Sequence, residues 1–423
     1  MLLLLLLLFE TASTSKLLVI SLDGFRYDYV DMYKDKLPFL QTLISKGTIV
    51  KSGLKNAYIT KTFPNHWTLV TGVYEETHGI IDNKFYGREF DEFFSFSYEE
   101  KWWNASIPVW KYLESYGFQT AAYFWPGSAV KNMHPTKFIP VYNNSVPLKT
   151  RINQVIKWFS EEDIYVIFLY NIEPDYTGHR YGAKSKEMGE TLNFLDTQIQ
   201  YLFGEIDKCN SCQDMNVVLV SDHGMVNIKQ DGRFYLYNFM NITEDMKISS
   251  DGSSVSIWCD FPDNALSELN SSKESWFTVY TPSTMPKRFH YNHTSRVPDI
   301  FICVQQPFLF IVEKKSYLDK VKGQHGYDNR ESEMWPIFLG VGPQFSKGRV
   351  YDSVFYSVDI FNLICTIVDV PPYAFTNGSM SRVSSLLVKT FDIINYWFLA
   401  ILIIIVGGVL GIVVVDSCIR SIF

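Results

Sequence analysis

Asp23, Asp175, Asp222, His179, His223 and His325 stand in four short stretches: Asp23-Gly24-Phe25-Arg26, Glu173-Pro174-Asp175-Tyr176-Thr177-Gly178-His179, Ser221-Asp222-His223-Gly224 and Gly323-Gln324-His325-Gly326. Each alone has a plain explanation. An Asp-Gly pair after a strand is commonly a turn, and a histidine in a loop is commonly a hydrogen-bonded surface residue. Three of the stretches, however, directly follow the strongest apolar runs of the chain. Mixed carboxylate and imidazole donors suit zinc, whereas magnesium prefers oxygen octahedra. Glycines beside a histidine let backbone approach closely, as a ligand loop requires. Three carboxylates and three imidazoles suffice for two metals with open positions. Such a pair can clamp the attacking and leaving oxygens of an in-line phosphoryl displacement.

A nucleophile is available in Thr60-Lys61-Thr62-Phe63-Pro64-Asn65-His66. Pro64 suits the first turn of a helix, and Trp67-Thr68-Leu69-Val70 continues it. Thr62 is thereby placed just ahead of a helix N-terminus, where backbone N–H groups lack partners. Two readings stay open: an N-cap threonine, or a hydroxyl that attacks phosphorus. A free threonine hydroxyl is too weak a nucleophile, but one bound to a divalent cation ionises near neutral pH. The metal-ligand set therefore favours the second.

The elements that must hold these groups follow from hydrophobic patterning. Leu17–Leu22, Ile164–Leu169 and Asn216–Ser221 are continuous apolar runs, the mark of central strands buried on both faces. Thr120–Phe124 reads as another strand. Helices are expected over Leu37–Ser45, Arg151–Phe159 and Glu187–Gly204. The alternation predicts βαβ units, hence an α/β fold with a mostly parallel central sheet and helices on both faces. In such sheets ligands bind beyond the carboxyl ends of the strands, where the Asp and His stretches fall. Phe234–Val304 is choppier and is expected to be a surface insertion.

The two ends are hydrophobic. Leu2–Leu8 followed by Ala12 and Ser13 reads as a secretory signal peptide over residues 1–15. Trp397–Val415 carries no charge and, at about 1.5 Å per residue, just spans a bilayer core of roughly 30 Å. The expected organisation is an extracellular catalytic domain over 16–390, a transmembrane helix over 396–415 and a cytoplasmic tail over 416–423: a single-pass type I protein of the cell membrane. Six N-x-Ser/Thr acceptors, at Asn104, Asn143, Asn241, Asn270, Asn292 and Asn377, fit a glycosylated ectodomain. Cys209, Cys212, Cys259, Cys303 and Cys365 lie on the outer side, an odd number, and Cys418 lies in the tail. A net charge of −7 argues against a nucleic-acid duplex as partner.

Taken together, Asp23-Gly-Phe-Arg, Thr60-Lys-Thr-Phe-Pro-Asn-His, Thr77-His-Gly-Ile-Ile-Asp-Asn83, Glu173-Pro-Asp-x-x-Gly-His179, Ser221-Asp-His-Gly and His325-Gly-Tyr-Asp-Asn resemble the ecto-nucleotide pyrophosphatase/phosphodiesterases of the alkaline phosphatase superfamily. The resemblance runs from about Lys16 to Asp369. It implies an alkaline-phosphatase-like sheet and two Zn²⁺, one on Asp175, His179 and His325, the other on Asp23, Asp222 and His223. Thr62 is implied as nucleophile bound to the second, and Asn83 as the donor to the phosphoryl oxygen. The implied mechanism is a double displacement: Thr62 takes up the nucleotidyl group, and water then releases the nucleoside 5′-monophosphate.

Relatives divide between nucleotides and choline-bearing lipids or glycerophosphodiesters. The stretch from Ala129 to Val146 resembles an insertion carried by the nucleotide-cleaving members, in which Tyr142 would stack on the base opposite Phe63. Such stacking contributes about 1–3 kcal/mol per base. Lys61 and Lys84 are candidates to meet outgoing phosphates, or else are solvated surface lysines. The short architecture resembles the type I members acting on ATP, NAD or dinucleoside polyphosphates. The competing expectations are a choline-type glycerophosphodiesterase and a catalytically silent adhesive ectodomain.

Overall fold

The computed structural model describes residues 15–388 except 141, 273, 293–294 and 314–315. The expected transmembrane helix and cytosolic tail, and all but the last residue of the expected signal peptide, lie outside the described residues. Among the described residues, no helix is long and apolar enough to cross a membrane.

A central sheet contains eight strands: β1 (Leu17–Leu22), β2 (Thr48–Val50), β3 (Thr120–Tyr123), β4 (Lys137–Ile139), β5 (Val166–Asn171), β6 (Asn216–Val220), β7 (Phe338–Val341) and β8 (Arg349–Tyr351). Their order is β8-β2-β7-β6-β1-β5-β3-β4. β1 lies at its heart, parallel to β5 on one side and β6 on the other. The sheet is mixed rather than uniformly parallel, because β7 runs antiparallel to both β2 and β6.

Alternation along β1 explains why both faces need cover. Leu17 and Val19 belong to one apolar core, while Leu18, Ile20 and Leu22 belong to another. The first core is closed by Trp67, Leu69 and Val70 of α2 (Thr62–Thr71) and by Ile360, Leu363 and Ile364 of α6 (Asp359–Ile367). The second is closed by α1 (Pro38–Lys46), α3 (Leu148–Glu161) and α5 (Lys186–Lys208). A short helix, α4 (Asp175–Tyr181), follows β5 directly.

The Phe234–Val304 region is more than a surface insertion. It contains a four-stranded antiparallel sheet built from Lys247–Ser250, Ser254–Trp258, Phe277–Tyr280 and Ile300–Val304. Val255, Ile257, Ile300 and Ile302 on this sheet pack with Leu269 and Trp276 into an apolar core of their own. The strands are short and separated by polar turns, so the pattern read as irregular. Cys209 and Cys212 form a disulfide, whereas Cys259, Cys303 and Cys365 are free. All six sequon asparagines are exposed.

Candidate active site

The segments leaving β1 and β5 line one cleft of about 830 Å³, with Asp23, Thr62, Asn83, Asp175, His179 and His325 among its walls, and Asp222 and His223, just beyond β6, are buried beside Asp23. Tight turns deliver the ligands there. Gly24 adopts φ +67°, and a Cβ on it would sit 2.9 Å from Asp175 Cα. The turn after β1 thus presses directly on the chain leaving β5. The same two segments are joined by the Asp175 N–H, which donates to the Asp23 carbonyl at 2.9 Å.

Two groups of three donors result: Asp23, Asp222 and His223; and Asp175, His179 and His325. Within each group the ligand atoms lie within 4.8 Å of one another. His223 Nε2 is 3.3 Å from Asp23 Oδ1 and 3.1 Å from Asp222 Oδ2. Asp175 Oδ1 is 3.4 Å from His179 Nε2 and 3.6 Å from His325 Nε2.

The residues fit a pair of cations on two independent observations. First, each imidazole spends Nδ1 on a backbone carbonyl: His179 on Gly323, His223 on Gly224 and His325 on Thr60, at 3.1, 2.9 and 2.9 Å. This fixes the tautomer that leaves Nε2 as a lone-pair donor toward the carboxylates. Second, Asp23 Oδ1, Asp175 Oδ1 and Asp222 Oδ2 are buried and lack a hydrogen-bond partner. Their sister oxygens on Asp23 and Asp222 are used, by the Tyr170 hydroxyl at 2.5 Å and the Ser221 hydroxyl at 3.1 Å. A cation held between these buried carboxylate oxygens and the imidazole lone pairs would give all of them a partner.

The electrostatics agree. Burial, reinforced by the charges of Asp222 and Asp175, holds the Asp23 carboxyl well above the usual carboxylate range. Burial likewise pushes Asp175 up to about 6. Burial drives His223 and His325 well below the ordinary histidine value, so both are neutral and free to coordinate.

Thr62 is the first residue of α2, and Lys61 rather than Thr62 is its N-cap. The Thr62 hydroxyl does not cap; it lies 3.3 Å from His223 Nε2, on the border of the Asp23–Asp222–His223 group. The Phe63 N–H, an orphan donor of the first turn, is instead taken by Asn83 Oδ1 at 2.8 Å. Asn83 is left with its Nδ2 hydrogens to offer a ligand. Phe63 and Tyr142 both line the cleft. Phe63 is seated edge-on against Phe94 and Phe96, and Tyr142 against Phe124 and Tyr170.

The two lysines part company. Lys84 is exposed and lines the cleft, its Nζ 5.3 Å from the Phe93 ring centroid. Lys61 is buried, and its ammonium is taken up by Asp82, Asp251 and Ser254. The expectation that Lys61 meets substrate phosphates is therefore corrected: two carboxylates already hold it.

Four residues of the site escaped the sequence reading. Tyr170 was hidden as one more apolar position at the end of a strand. Asp82 was passed over beside Asn83, and Asp251 lies in the irregular region with no motif around it. His66 stands in the Thr60–His66 stretch itself. Its Nδ1 donates to the Thr62 carbonyl at 2.8 Å and its Nε2 meets Ser21 Oγ at 2.8 Å.

Residues 17–328 match the family model described as type I phosphodiesterase / nucleotide pyrophosphatase. The chain is 34% identical over 402 residues to bis(5′-adenosyl)-triphosphatase ENPP4 of Bos taurus, spanning 91% of this chain and 84% of that one. It is 33% identical to ectonucleotide pyrophosphatase/phosphodiesterase family member 5 of Homo sapiens over 88% of this chain and 78% of the other. Murine ectonucleotide pyrophosphatase/phosphodiesterase 5, solved as an inactive variant in complex with AMP, superposes with a TM-score of 0.83 at 32% identity, covering 88% of this chain and all of that one.

Proposed function

This chain belongs to the type I phosphodiesterase / nucleotide pyrophosphatase family and is a hydrolase of that class, and from that premise we propose that it hydrolyses extracellular nucleotides to nucleoside 5′-monophosphates through Thr62. ATP, NAD and dinucleoside polyphosphates are the substrate class, and AMP bound to a murine relative supports a nucleotide ligand. The observation that carries the reading is the placement of the Thr62 hydroxyl 3.3 Å from His223 of the Asp23–Asp222–His223 group, in a cleft that Asp175, His179 and His325 also line.

Two zinc ions held by Asp23, Asp222 and His223 and by Asp175, His179 and His325 supply Lewis-acid activation when bound. Thr62 Oγ1, having released its proton to solvent, attacks the α-phosphorus of the substrate. A bond from Thr62 to phosphorus forms as the bond to the leaving oxygen breaks. Asn83 Nδ2 donates to the phosphoryl oxygen that gains charge, and its Oδ1 is already tied to Phe63 N–H, so the amide is preorganised for this. Phe63 and Tyr142 hold the base between their rings, keeping phosphorus in line with Thr62. Water then bonds to phosphorus through its oxygen as the Thr62–phosphorus bond breaks, a proton returns to Thr62 Oγ1, and the nucleoside monophosphate leaves. The chain is read as a type I protein acting outside the cell, with glycans on the six sequons.

Thr62→Ala tests the reading. Two metals per chain and AMP binding are expected to persist while turnover of NAD, ATP and dinucleotides falls by at least about 10³-fold. Appreciable residual turnover removes Thr62 from this role. Choline release from lysophosphatidylcholine by the wild type, without nucleotide turnover, would hand the site to the lipid-type reaction instead.

A further inference from the structure

Lys61 immediately precedes Thr62, and Asp82 immediately precedes Asn83. The side chains of this first pair meet in the interior. Lys61 Nζ donates to both Asp82 carboxylate oxygens, at 2.9 and 2.8 Å, and reaches Asp251 Oδ2 at 2.9 Å and Ser254 Oγ at 3.0 Å. An ammonium has three hydrogens to give, and all are spent here. The Lys61 side chain is 1% exposed, and the Asp82 side chain 7%.

Hydrogen bonds carry this contact to the reacting groups. Asp82 Oδ1 accepts the Asn83 N–H at 2.6 Å, and Asn83 Oδ1 accepts the Phe63 N–H at 2.8 Å. The path from Lys61 through Asp82, Asn83 and Phe63 thus returns to the peptide bearing Thr62. A third leg runs to the far wall: the Asp251 carbonyl accepts from Gln324 Nε2 at 2.7 Å, next to His325. The lysine stem is seated under the same loop, for a Cβ on Gly326 would lie 2.9 Å from Lys61 Cε.

We propose that Lys61 is a positioning residue: its buried ammonium ties the Asn83 amide and the Thr62 hydroxyl into one fixed geometry and docks both against the His325 loop, without touching substrate. The inference rests on the assignment of Thr62 as nucleophile. Its physical basis is covalent adjacency. Each partner of the ion pair is one residue from a group that acts on phosphorus, and a displacement of about 1 Å in such a group costs roughly 10²-fold in rate.

Lys61→Met alone strands two buried carboxylates and endangers folding. The double variant Lys61→Met/Asp82→Asn lessens this, since the cluster keeps its net charge of one negative and only Asp251 loses its cation, while Ser253 Oγ still donates to Asp251 Oδ1 at 2.9 Å. For the double variant, kcat on NAD or ATP is expected to fall about 10²-fold, with KM within threefold and two metals per chain. Its crystal structure is expected to show the Asn83 side chain moved beyond hydrogen-bond distance of the Phe63 N–H. An unchanged kcat overturns the proposal, as does a raised KM at constant kcat, which would assign Lys61 to substrate binding. Should the wild type turn over no nucleotide, the reading of Thr62 fails separately. The crystallographic position of Asn83 still judges the tie, and Asn83 found in place refutes it.

Discussion

At the scale of single residues, the site works by denying polar atoms any alternative partner. Asn83 is the clearest case. One end of its amide is fixed by the first turn of α2, which leaves the other to serve a ligand. Asn83→Ala removes a preorganised donor and frees the Phe63 N–H. A loss of about 10²–10³-fold in kcat is expected, with little change in AMP affinity. Steady-state kinetics beside calorimetric AMP titration check this, and a weakened AMP complex at unchanged kcat would contradict it. The two Asp/His groups that the structure brings together were legible in the sequence because Asp and His carry their chemistry in their type. Tyr170, whose hydroxyl occupies one oxygen of Asp23, was not. In a buried strand a tyrosine reads as bulk, and only the third dimension reveals where its oxygen ends up.

At the scale of elements, the decisive features are the turns that end the strands. β1, β5 and β6 announce themselves as apolar runs: β1 has the expected limits, β6 ends one residue earlier and β5 is shifted two residues along the chain. What the runs do not encode is how closely the turns beyond them abut. Gly24 is the instance with the sharpest consequence, because its positive φ and its contact with the Asp175 backbone both exclude a side chain. Gly24→Ala is expected to displace Asp175, drop metal content below two per chain and lower turnover about 10²-fold, while the far ends of the strands stay in register. Metal analysis of the purified variant decides the matter; full occupancy with normal turnover would mean that the turn yields freely. The Phe234–Val304 region shows the opposite limit of legibility. Its strands are too short and too interrupted to carry a clear period, yet it supplies Asp251 to the cleft. The antiparallel course of β7 was equally hidden, since strand direction depends on where the intervening chain returns.

For the molecule as a whole, the sheet gathers three buried carboxylates at its carboxyl ends, and this couples stability to metal and to pH together. Without cations, Asp23 and Asp175 are held above the carboxylate range by burial, Asp175 to about 6. The unfolded chain ionises them near 3.9. The folded, metal-free protein therefore binds more protons than the unfolded chain across that window, and its stability must fall as pH rises from about 4 through 6. With cations bound the sign reverses, because the metals compete with protons for the same oxygens and gain as pH rises. The gap between metal-loaded and chelator-treated protein is thus expected to widen from pH 5 to pH 7.5. At a free metal level 1,000-fold above Kd the stabilisation amounts to about 4 kcal/mol, enough to move Tm by several degrees. Thermal unfolding with and without chelator at the two pH values measures it. A gap that shrinks with pH would mean that these carboxylates face one another for some purpose other than holding a cation.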